Sequence, residues 1–313
     1  MDEINQCYLS VVIPVYGSEK ILNDLCAELV VQLKSINKLN KKFEIIFISD
    51  QSTDNSWSII KNLAKRYREV RGISLRVNVG QHNAIMAGLR KANGELIITM
   101  DDDLQHSPKD LNILLSHITL GYDVVYARFK NRKHPFWKLL GSKFNNFASY
   151  YLISKPKGLY LSPFKIFRAS IKNEVIKYTG PNPYLDGLIL SVTRNISSVN
   201  VEHQLRHSGV SYYGFRKSIS LWLKMAINFS IFPLRLTSFF GLFFSIVGMA
   251  SATYLVFLKL NNPSIPIGWS SMIVVSLSIG GIQLLAIGVI GEYLGRVLLS
   301  LNKLPQYSVD EEV

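Results

Sequence analysis

The chain carries the stretch Leu96-Ile97-Ile98-Thr99-Met100-Asp101-Asp102-Asp103-Leu104-Gln105, in which an apolar, β-branched run ends abruptly in three carboxylates. Such a run is typical of a strand that is buried on both faces. The charges that follow it therefore lie at the carboxyl end of that strand. Open α/β sheets bind their ligands at this end, so the stretch predicts an α/β sheet with a binding site at the tip of the strand.

The three adjacent carboxylates predict a site for a divalent cation. Neighbouring carboxylates repel one another and are costly to desolvate, so a cation is their natural partner. A hard divalent ion held by Asp101 and Asp103, with Gln105 as a neutral oxygen ligand, suits this chemistry. The alternative is an acidic junction between strand and turn, in which Asp102 and Asp103 only begin a turn or face water.

The residues on either side of this stretch alternate between strand and helix patterns. Apolar runs bounded by polar turns predict strands at residues 9–16, 43–48, 73–77 and 122–127. Apolar residues at helical spacing predict helices between these strands, the third of them at residues 84–92. Strands that alternate with helices at this pitch predict a parallel, doubly wound sheet.

Composition and charge narrow the class of protein. The 313 residues suffice for about two domains, and a hydrophobic content of 48% indicates a membrane part. The formal net charge of +13 predicts an anionic partner, such as a phospholipid, a nucleotide, a phosphate or a nucleic acid. Basic and aromatic residues mix between residues 128 and 150 without a nucleic-acid-binding motif. We therefore expect a membrane surface and no nucleic acid as partner.

The C-terminal part predicts a membrane anchor. Residues 215–235 form one apolar and one polar face, as expected for a helix in the membrane interface, although a helix packed on the domain gives the same pattern. Two uncharged stretches follow, residues 236–258 and 269–290, and each exceeds the ~20 residues that a spanning helix needs. Basic residues before the first and after the second predict that both termini are cytoplasmic.

These patterns predict four regions. Residues 1–214 form a cytosolic domain, 215–235 an amphipathic interfacial segment, 236–296 a hairpin of two transmembrane helices, and 297–313 a cytosolic tail. The N-terminus is polar and acidic, so no secretory signal is expected, and Cys7 and Cys26 are predicted to be reduced thiols. Glycines in the hairpin would permit close contacts, within it or between protomers.

Six separated stretches resemble the motifs of family 2 glycosyltransferases, in the family's own order. They are residues 10–16 (the opening strand), 44–54 ("EIIFVDDGSTD"), 78–94 ("N-x-G…A-x-x-A-G…A-x-G"), 100–108 ("MDADLQDPP"), 206–213 ("R-x-x-G-x-S-x-Y") and 291–296 ("GEYLGR"). Together they resemble the polyprenyl-phosphate branch of that family, which includes dolichyl-phosphate mannose synthases and bactoprenol glucosyltransferases.

The resemblance implies a GT-A fold and an inverting transfer of a sugar from a nucleotide-sugar to a polyprenyl phosphate. It favours a UDP-sugar such as UDP-glucose as donor and undecaprenyl phosphate as acceptor, at the cytoplasmic face of the plasma membrane. The product would be a lipid-linked monosaccharide for modification of surface glycans. The resemblance also implies a divalent cofactor, Mg²⁺ or Mn²⁺, and a homo-oligomer, namely a tetramer.

The resemblance further implies roles for individual residues. Those expected to contact the nucleotide-sugar are Pro14, Tyr16, Asp50, Asp101, Asp102 and Arg128. The metal ligands would be Asp101, Asp103 and Gln105. The acceptor phosphate would meet Arg206, Ser211 and Lys165. Catalysis would depend on Asp101, Asp103, Arg128 and Arg206.

Several positions depart from the family pattern. Ser49 and Gln51 stand where an Asp and a Gly are usual, and Tyr212 stands where a Lys is common. The first two motivate an alternative, a membrane scaffold with a degenerate nucleotide-binding domain. A processive polysaccharide synthase is the other alternative, but its usual Gln-x-x-Arg-Trp motif is absent from this sequence. His82 and His106 are predicted to be solvated or hydrogen-bonded loop residues.

Overall fold

A computed structural model describes residues 7–36, 42–129, 156, 159–201, 232–261, 268–302 and 305–313. The chain divides into two compact units. The first comprises residues 1–213 together with 303–313, and the second comprises residues 214–302. The last residues of the chain thus belong to the same unit as its N-terminal part.

An eight-stranded mixed sheet forms the centre of the first unit. Its strands are β1 (Cys7–Val15), β2 (Lys42–Ser49), β3 (Val70–Leu75), β4 (Leu96–Thr99), β5 (Val124–Phe129), β6 (Lys165–Arg168), β7 (Ile196–Val201) and β8 (Val309–Glu312). Their order across the sheet is β7-β5-β6-β4-β1-β2-β3-β8. Strands β1 to β4 pair in parallel, as does β5 with β7.

The prediction of a parallel sheet is confirmed for β1 to β4 and wrong for two other strands. Strand β6 runs antiparallel between β4 and β5, and β8 runs antiparallel to β3. Each has four residues, too few to display an alternation of apolar and polar side chains, so the sequence predicted neither as a strand.

Helices connect the strands of the first unit. They are α1 (Leu22–Ile36), α2 (Ser56–Arg66), α3 (Gln81–Lys91), α4 (Leu111–Ile118), α5 (Ala169–Val175) and α6 (Leu185–Val192). The predicted helix at residues 84–92 begins three residues earlier than expected, at Gln81. Its Gly88 lies against the sheet, where an added Cβ would stand 2.6 Å from side-chain atoms of both Val12 and Ile48. This close approach packs the C-terminal half of α3 against β1 and β2.

The second unit consists of two long helices, α7 (Phe232–Asn261) and α8 (Trp269–Leu301). Within the described part of the chain, Ile279–Leu299 is the one stretch long and apolar enough to cross a membrane. Thr237–Ser251 is a shorter apolar stretch. Large apolar side chains are exposed along both helices, among them Phe239 and Ile287. The predicted hairpin stays a prediction, and most of segment 215–235 lies outside the described residues.

Candidate active site

The predicted site residues follow neighbouring strands at one edge of the sheet. Tyr16 follows β1, Asp50 follows β2, and Asp101 follows β4 after a single residue. Because β2, β1 and β4 are adjacent and parallel, their carboxyl ends meet at this edge. Pro14 is buried within β1, whereas the Tyr16 side chain is 58% exposed. The fold thus places these predicted residues together.

Asp50 is buried and holds the loop that leads into α3. Its two carboxylate oxygens accept hydrogen bonds from the backbone amides of Val79 and Gly80, each at 2.8 Å. Asn78 donates through its side-chain amide to the Asp50 carbonyl at 3.0 Å. Burial raises the pKa of Asp50, while the two backbone hydrogen bonds lower it. The predicted contact of Asp50 with a nucleotide stays a prediction.

The three adjacent carboxylates have different partners. Asp101 accepts a hydrogen bond from the side-chain amide of Gln81 at 2.6 Å. Asp102 accepts from the Ser18 hydroxyl at 2.5 Å and from the Tyr16 amide at 3.3 Å. Burial and the neighbouring negative charges raise the pKa of Asp101 to about 7. Burial raises the pKa of Asp102 to about 6.

This donor set fits a cation that substrate oxygens also coordinate. In the described part of the chain, no group of three His, Cys, Asp or Glu side chains is placed to hold a metal ion. Mg²⁺ at phosphate-binding sites is commonly held by one or two carboxylates, with substrate phosphates completing its coordination. Two carboxylates, Asp101 and Asp103, match that number, and a cation would offset both the burial and the repulsion that raise the pKa of Asp101. Gln105 donates its backbone amide to Asp103 at 3.2 Å.

Two residues beside the carboxylates have a left-handed backbone. Gln51 follows Asp50 with φ of 53°, and Leu104 follows Asp103 with φ of 56°. Side chains other than glycine are rare in this region and cost free energy there. This explains why glycine is usual at the position of Gln51. Here the side-chain oxygen of Gln51 accepts a hydrogen bond from the backbone amide of Asn78 at 3.0 Å, and this bond offsets part of the cost of the left-handed backbone.

The two histidines differ in their surroundings. His106 is buried, accepts the Asp101 amide on Nδ1 at 3.3 Å and stacks on Phe164, so the prediction of a hydrogen-bonded residue is confirmed. For His82 the prediction is wrong, because it lies in α3 and its buried Nδ1 has no hydrogen-bond partner among the described residues. Burial lowers the pKa of His82 to about 4. The edge of its ring meets Tyr184 at 5.3 Å between centroids.

A buried cluster of Lys165, Asp186 and Tyr126 lies near enough to the carboxylates for the charge of Lys165 to oppose the rise in the pKa of Asp101. The sequence did not predict this cluster. Lys165, 2% exposed, donates to Asp186, and the Tyr126 hydroxyl donates to the same carboxylate at 3.0 Å. Tyr126 and Lys165 are direct neighbours on β5 and β6, and Asp186 is the second residue of α6. Asp186 is the one charged residue in the apolar sequence of α6, and this was the signal from which a buried charge could have been predicted.

The remaining predicted residues divide into two groups. Arg128 lies near the end of β5 with an exposed side chain, and its contact with phosphate stays a prediction. Lys165 is neutralised by Asp186, and its predicted contact with an acceptor phosphate is likewise untested. Arg206, Ser211 and the departure at Tyr212 lie outside the described residues.

Comparisons with known proteins show the family of this chain. The model of Glycosyl transferase family 2 matches residues 10–176. The undecaprenyl-phosphate 4-deoxy-4-formamido-L-arabinose transferase of Proteus mirabilis is 31% identical over 315 residues, which cover 100% of this chain and 95% of the relative. The transferase of the same name from Photorhabdus laumondii is 31% identical over 311 residues, covering 97% and 94%.

Solved structures extend the comparison to the fold. Glucosyl-3-phosphoglycerate synthase from Mycobacterium tuberculosis, in complex with Mn²⁺, uridine-diphosphate-glucose and phosphoglyceric acid, is similar with a TM-score of 0.52 and 14% identity, covering 71% of this chain and 78% of that chain. This likeness shows the fold alone and confirms the predicted GT-A architecture. The family model spans more than half of the chain, and full-length relatives share about a third of its residues. The chain is therefore a glycosyltransferase that belongs to glycosyl transferase family 2.

Proposed function

We propose that this glycosyltransferase transfers a sugar from a nucleotide-sugar to undecaprenyl phosphate at the cytoplasmic face of a membrane. The observation that carries the proposal is the meeting of Asp50, Asp101 and Asp103 at one sheet edge, in a chain aligned along its whole length with undecaprenyl-phosphate sugar transferases. The relatives are named for 4-deoxy-4-formamido-L-arabinose. For this chain we propose a UDP-sugar donor, UDP-glucose among them.

The carboxylates receive the diphosphate end of the donor. Asp101 and Asp103, with the oxygen of Gln105, would hold Mg²⁺ or Mn²⁺. When bound, the ion supplies positive charge that stabilises the leaving nucleoside diphosphate. Asp102 keeps the turn after β1 against this cluster through Ser18 and the Tyr16 amide. Tyr16, Asp50 and Arg128 are the proposed contacts to the nucleotide-sugar.

The acceptor needs positioning more than deprotonation. The second pKa of a phosphate monoester is ~6, so its oxygen is largely ionised at neutral pH and acts directly as the nucleophile. That oxygen forms a bond to the anomeric carbon as the bond to the diphosphate breaks, which inverts the configuration. We propose Arg206, Ser211 and Lys165 as the acceptor contacts, and Arg206 as a catalytic cation that offsets repulsion between the two substrates.

We propose further that α7 and α8 cross the membrane as a hairpin. They contain 30 and 33 residues, more than the ~20 that a spanning helix needs. Strand β8 follows α8 in the chain and pairs with β3, which precedes α7. This pairing supports a topology with both ends of the helical segment on one side of the membrane. An even number of crossings satisfies this condition. The homotetramer implied by the resemblance is a further proposal, tested by measuring the mass of the protein in nanodiscs.

Lipid-linked sugar formation tests the proposal. The full chain in detergent receives undecaprenyl phosphate, Mn²⁺ and a panel of nucleotide-sugars that includes UDP-glucose and the UDP-linked formamido-arabinose, and mass spectrometry follows the lipid. We expect one sugar per lipid with one donor. Asp103→Asn should lower product formation by about 100-fold or more, because a cation ligand is lost. Asp24→Asn, at an exposed position of α1, is the matched control.

The alternatives give different results in the same experiment. No product from any donor would contradict the proposal and favour a scaffold, and a ladder of several sugars would favour a processive synthase. Equal activity of Asp103→Asn and Asp24→Asn would contradict the assignment of the carboxylates.

A further inference from the structure

The last nine residues, 305–313, which we call the C-terminal tail, contact two parts of the first unit. One is the free edge of β3, where β8 completes the sheet. The other is the loop at residues 176–184, which connects α5 to α6. The tail was predicted only as a cytosolic segment, so neither contact was expected.

At the sheet edge, backbone hydrogen bonds and ion pairs hold the tail. The amide and carbonyl of Val313 pair with those of Gly72 at 3.0 and 2.8 Å. The Trp57 indole donates to Glu311 at 2.8 Å. Three cations face three carboxylates of the tail, in the pairs Arg76–Asp310, Lys61–Glu311 and Lys91–Glu312. These ion pairs are exposed, and each contributes little alone, so the backbone pairing mainly holds the strand.

Gln306 joins the tail to α3 and to the loop. It is 8% exposed, and its side-chain oxygen accepts a hydrogen bond from Arg90 at 2.8 Å. Its side-chain nitrogen donates to the Gly180 carbonyl at 2.5 Å. Arg90, in the last turn of α3, also donates to the Tyr178 carbonyl at 3.1 Å. The tail, α3 and the loop therefore meet at one buried amide.

The loop leads from this junction into the candidate site. It ends where α6 begins, and α6 carries Asp186, the partner of Lys165 and Tyr126. Asn83, in the first turn of α3, donates to the Pro181 carbonyl at 3.3 Å. Both ends of helix α3 thus donate hydrogen bonds to the loop, Asn83 from the first turn and Arg90 from the last. Its first residue, Gln81, contacts Asp101.

We propose that Gln306 is a positioning residue of the active site, through which the C-terminal tail holds the loop at residues 176–184 and the start of α6 in place. Gln306 acts through Arg90 and Gly180 rather than on a substrate. The order of the tail and the order of the loop are thereby coupled within the first unit. The activity arm of the test rests on the proposed function, whereas the coupling itself does not.

Gln306→Glu in the full chain separates docking of the tail from positioning of the loop. A carboxylate still accepts the hydrogen bond from Arg90, and more strongly, but it has no hydrogen to donate to the Gly180 carbonyl. Ser308→Glu adds the same charge at an exposed position of the tail and serves as the control. Hydrogen exchange followed by mass spectrometry reports on β8, on the loop and on α6, and the lipid assay gives kcat and the KM for the donor.

We expect Gln306→Glu to speed exchange in residues 176–184 and at the start of α6, while β8 stays as protected as in Ser308→Glu. The kcat should fall about three- to tenfold, the factor that one hydrogen bond commonly contributes, with an unchanged donor KM. Gln306→Ala should loosen the tail as well. Loop exchange equal to that of Ser308→Glu, or faster loop exchange with an unaltered kcat, would overturn the proposal. Exchange needs no substrate, so it decides the coupling even when no donor is turned over.

Discussion

Single residues of the site are held in states that they would not adopt in water. Asp101 has a raised pKa beside two further carboxylates, and Gln51 and Leu104 have left-handed backbones next to Asp50 and Asp103. Each such state costs free energy that the surrounding packing must offset. A substrate that brings a cation and hydrogen-bond partners would relieve part of it. These states are consistent with the proposed binding of a cation and a nucleotide-sugar at this site.

His82 gives a prediction at this scale. Burial lowers its pKa to about 4, with Lys165 adding to the shift and Asp186 opposing it. Because the unfolded chain takes up a proton below the ordinary pKa of 6.5 and the folded chain does not, the free energy of unfolding falls as the pH drops from about 6.5 to 4. His82→Gln should remove about 1–3 kcal/mol of this loss. Thermal unfolding at pH 7.5 and pH 5 measures it.

The quantity to compare is the drop in the unfolding temperature of each protein between pH 7.5 and pH 5. We expect His82→Gln to lose less of its thermal-unfolding temperature than the unaltered protein on acidification. Equal losses in both proteins would show that the imidazole is free to take up a proton in the folded state.

At the scale of elements, the strands that could be predicted from the sequence are those with a clear apolar pattern. Strands β1, β2 and β4 are buried runs between helices with apolar stripes, and they were recognised from those patterns. Strand β8 reads Val-Asp-Glu-Glu, a composition poor in strand formers, and it forms because β3 offers an edge and cations lie beside it. No local pattern carries that information.

The same distinction holds within the site. The three carboxylates are adjacent in sequence and follow a strand, so their grouping was predicted from the sequence. Lys165, Asp186 and Tyr126 come from three separate elements, and only the folded sheet and α6 bring them together. Gln306 is farther still from its partners along the chain. The contacts that the sequence missed are those that join distant segments.

The packing of α3 on the sheet gives a prediction at the scale of elements. Gly88→Ala would place a Cβ 2.6 Å from Ile48 and Val12 atoms, so the helix or these side chains must shift. The strain should exceed the better helix propensity of alanine and lower stability by about 1–2 kcal/mol. The unfolding temperature should then fall by about 2–8 °C. Ser58→Ala, at an exposed position of α2, is the control, and an equal temperature for both variants would contradict the close packing.

At the scale of the whole molecule, the pairing of β8 with β3 bears on topology. In the proposed hairpin both ends of the α7–α8 segment lie on one side of the membrane, and residues 262–267 are expected on the other side. In a chain whose Cys7 and Cys26 are replaced by alanine, we expect Ser264→Cys to react with an impermeant maleimide on intact cells. Ser308→Cys should react only after the membrane is opened. Reaction of both cysteines in intact cells, or of neither, would contradict the hairpin.

The placement of β8 after both long helices also sets an order of events during synthesis. Strand β3 leaves the ribosome early, whereas its antiparallel partner follows only after both long helices have been made. At about 5–20 residues per second, β3 waits on the order of tens of seconds with its edge open to any extended chain. The positive charge of Arg76, directly after that strand and 60% exposed at its side chain, discourages such pairing meanwhile. The sheet is thus completed only after both long helices have been made.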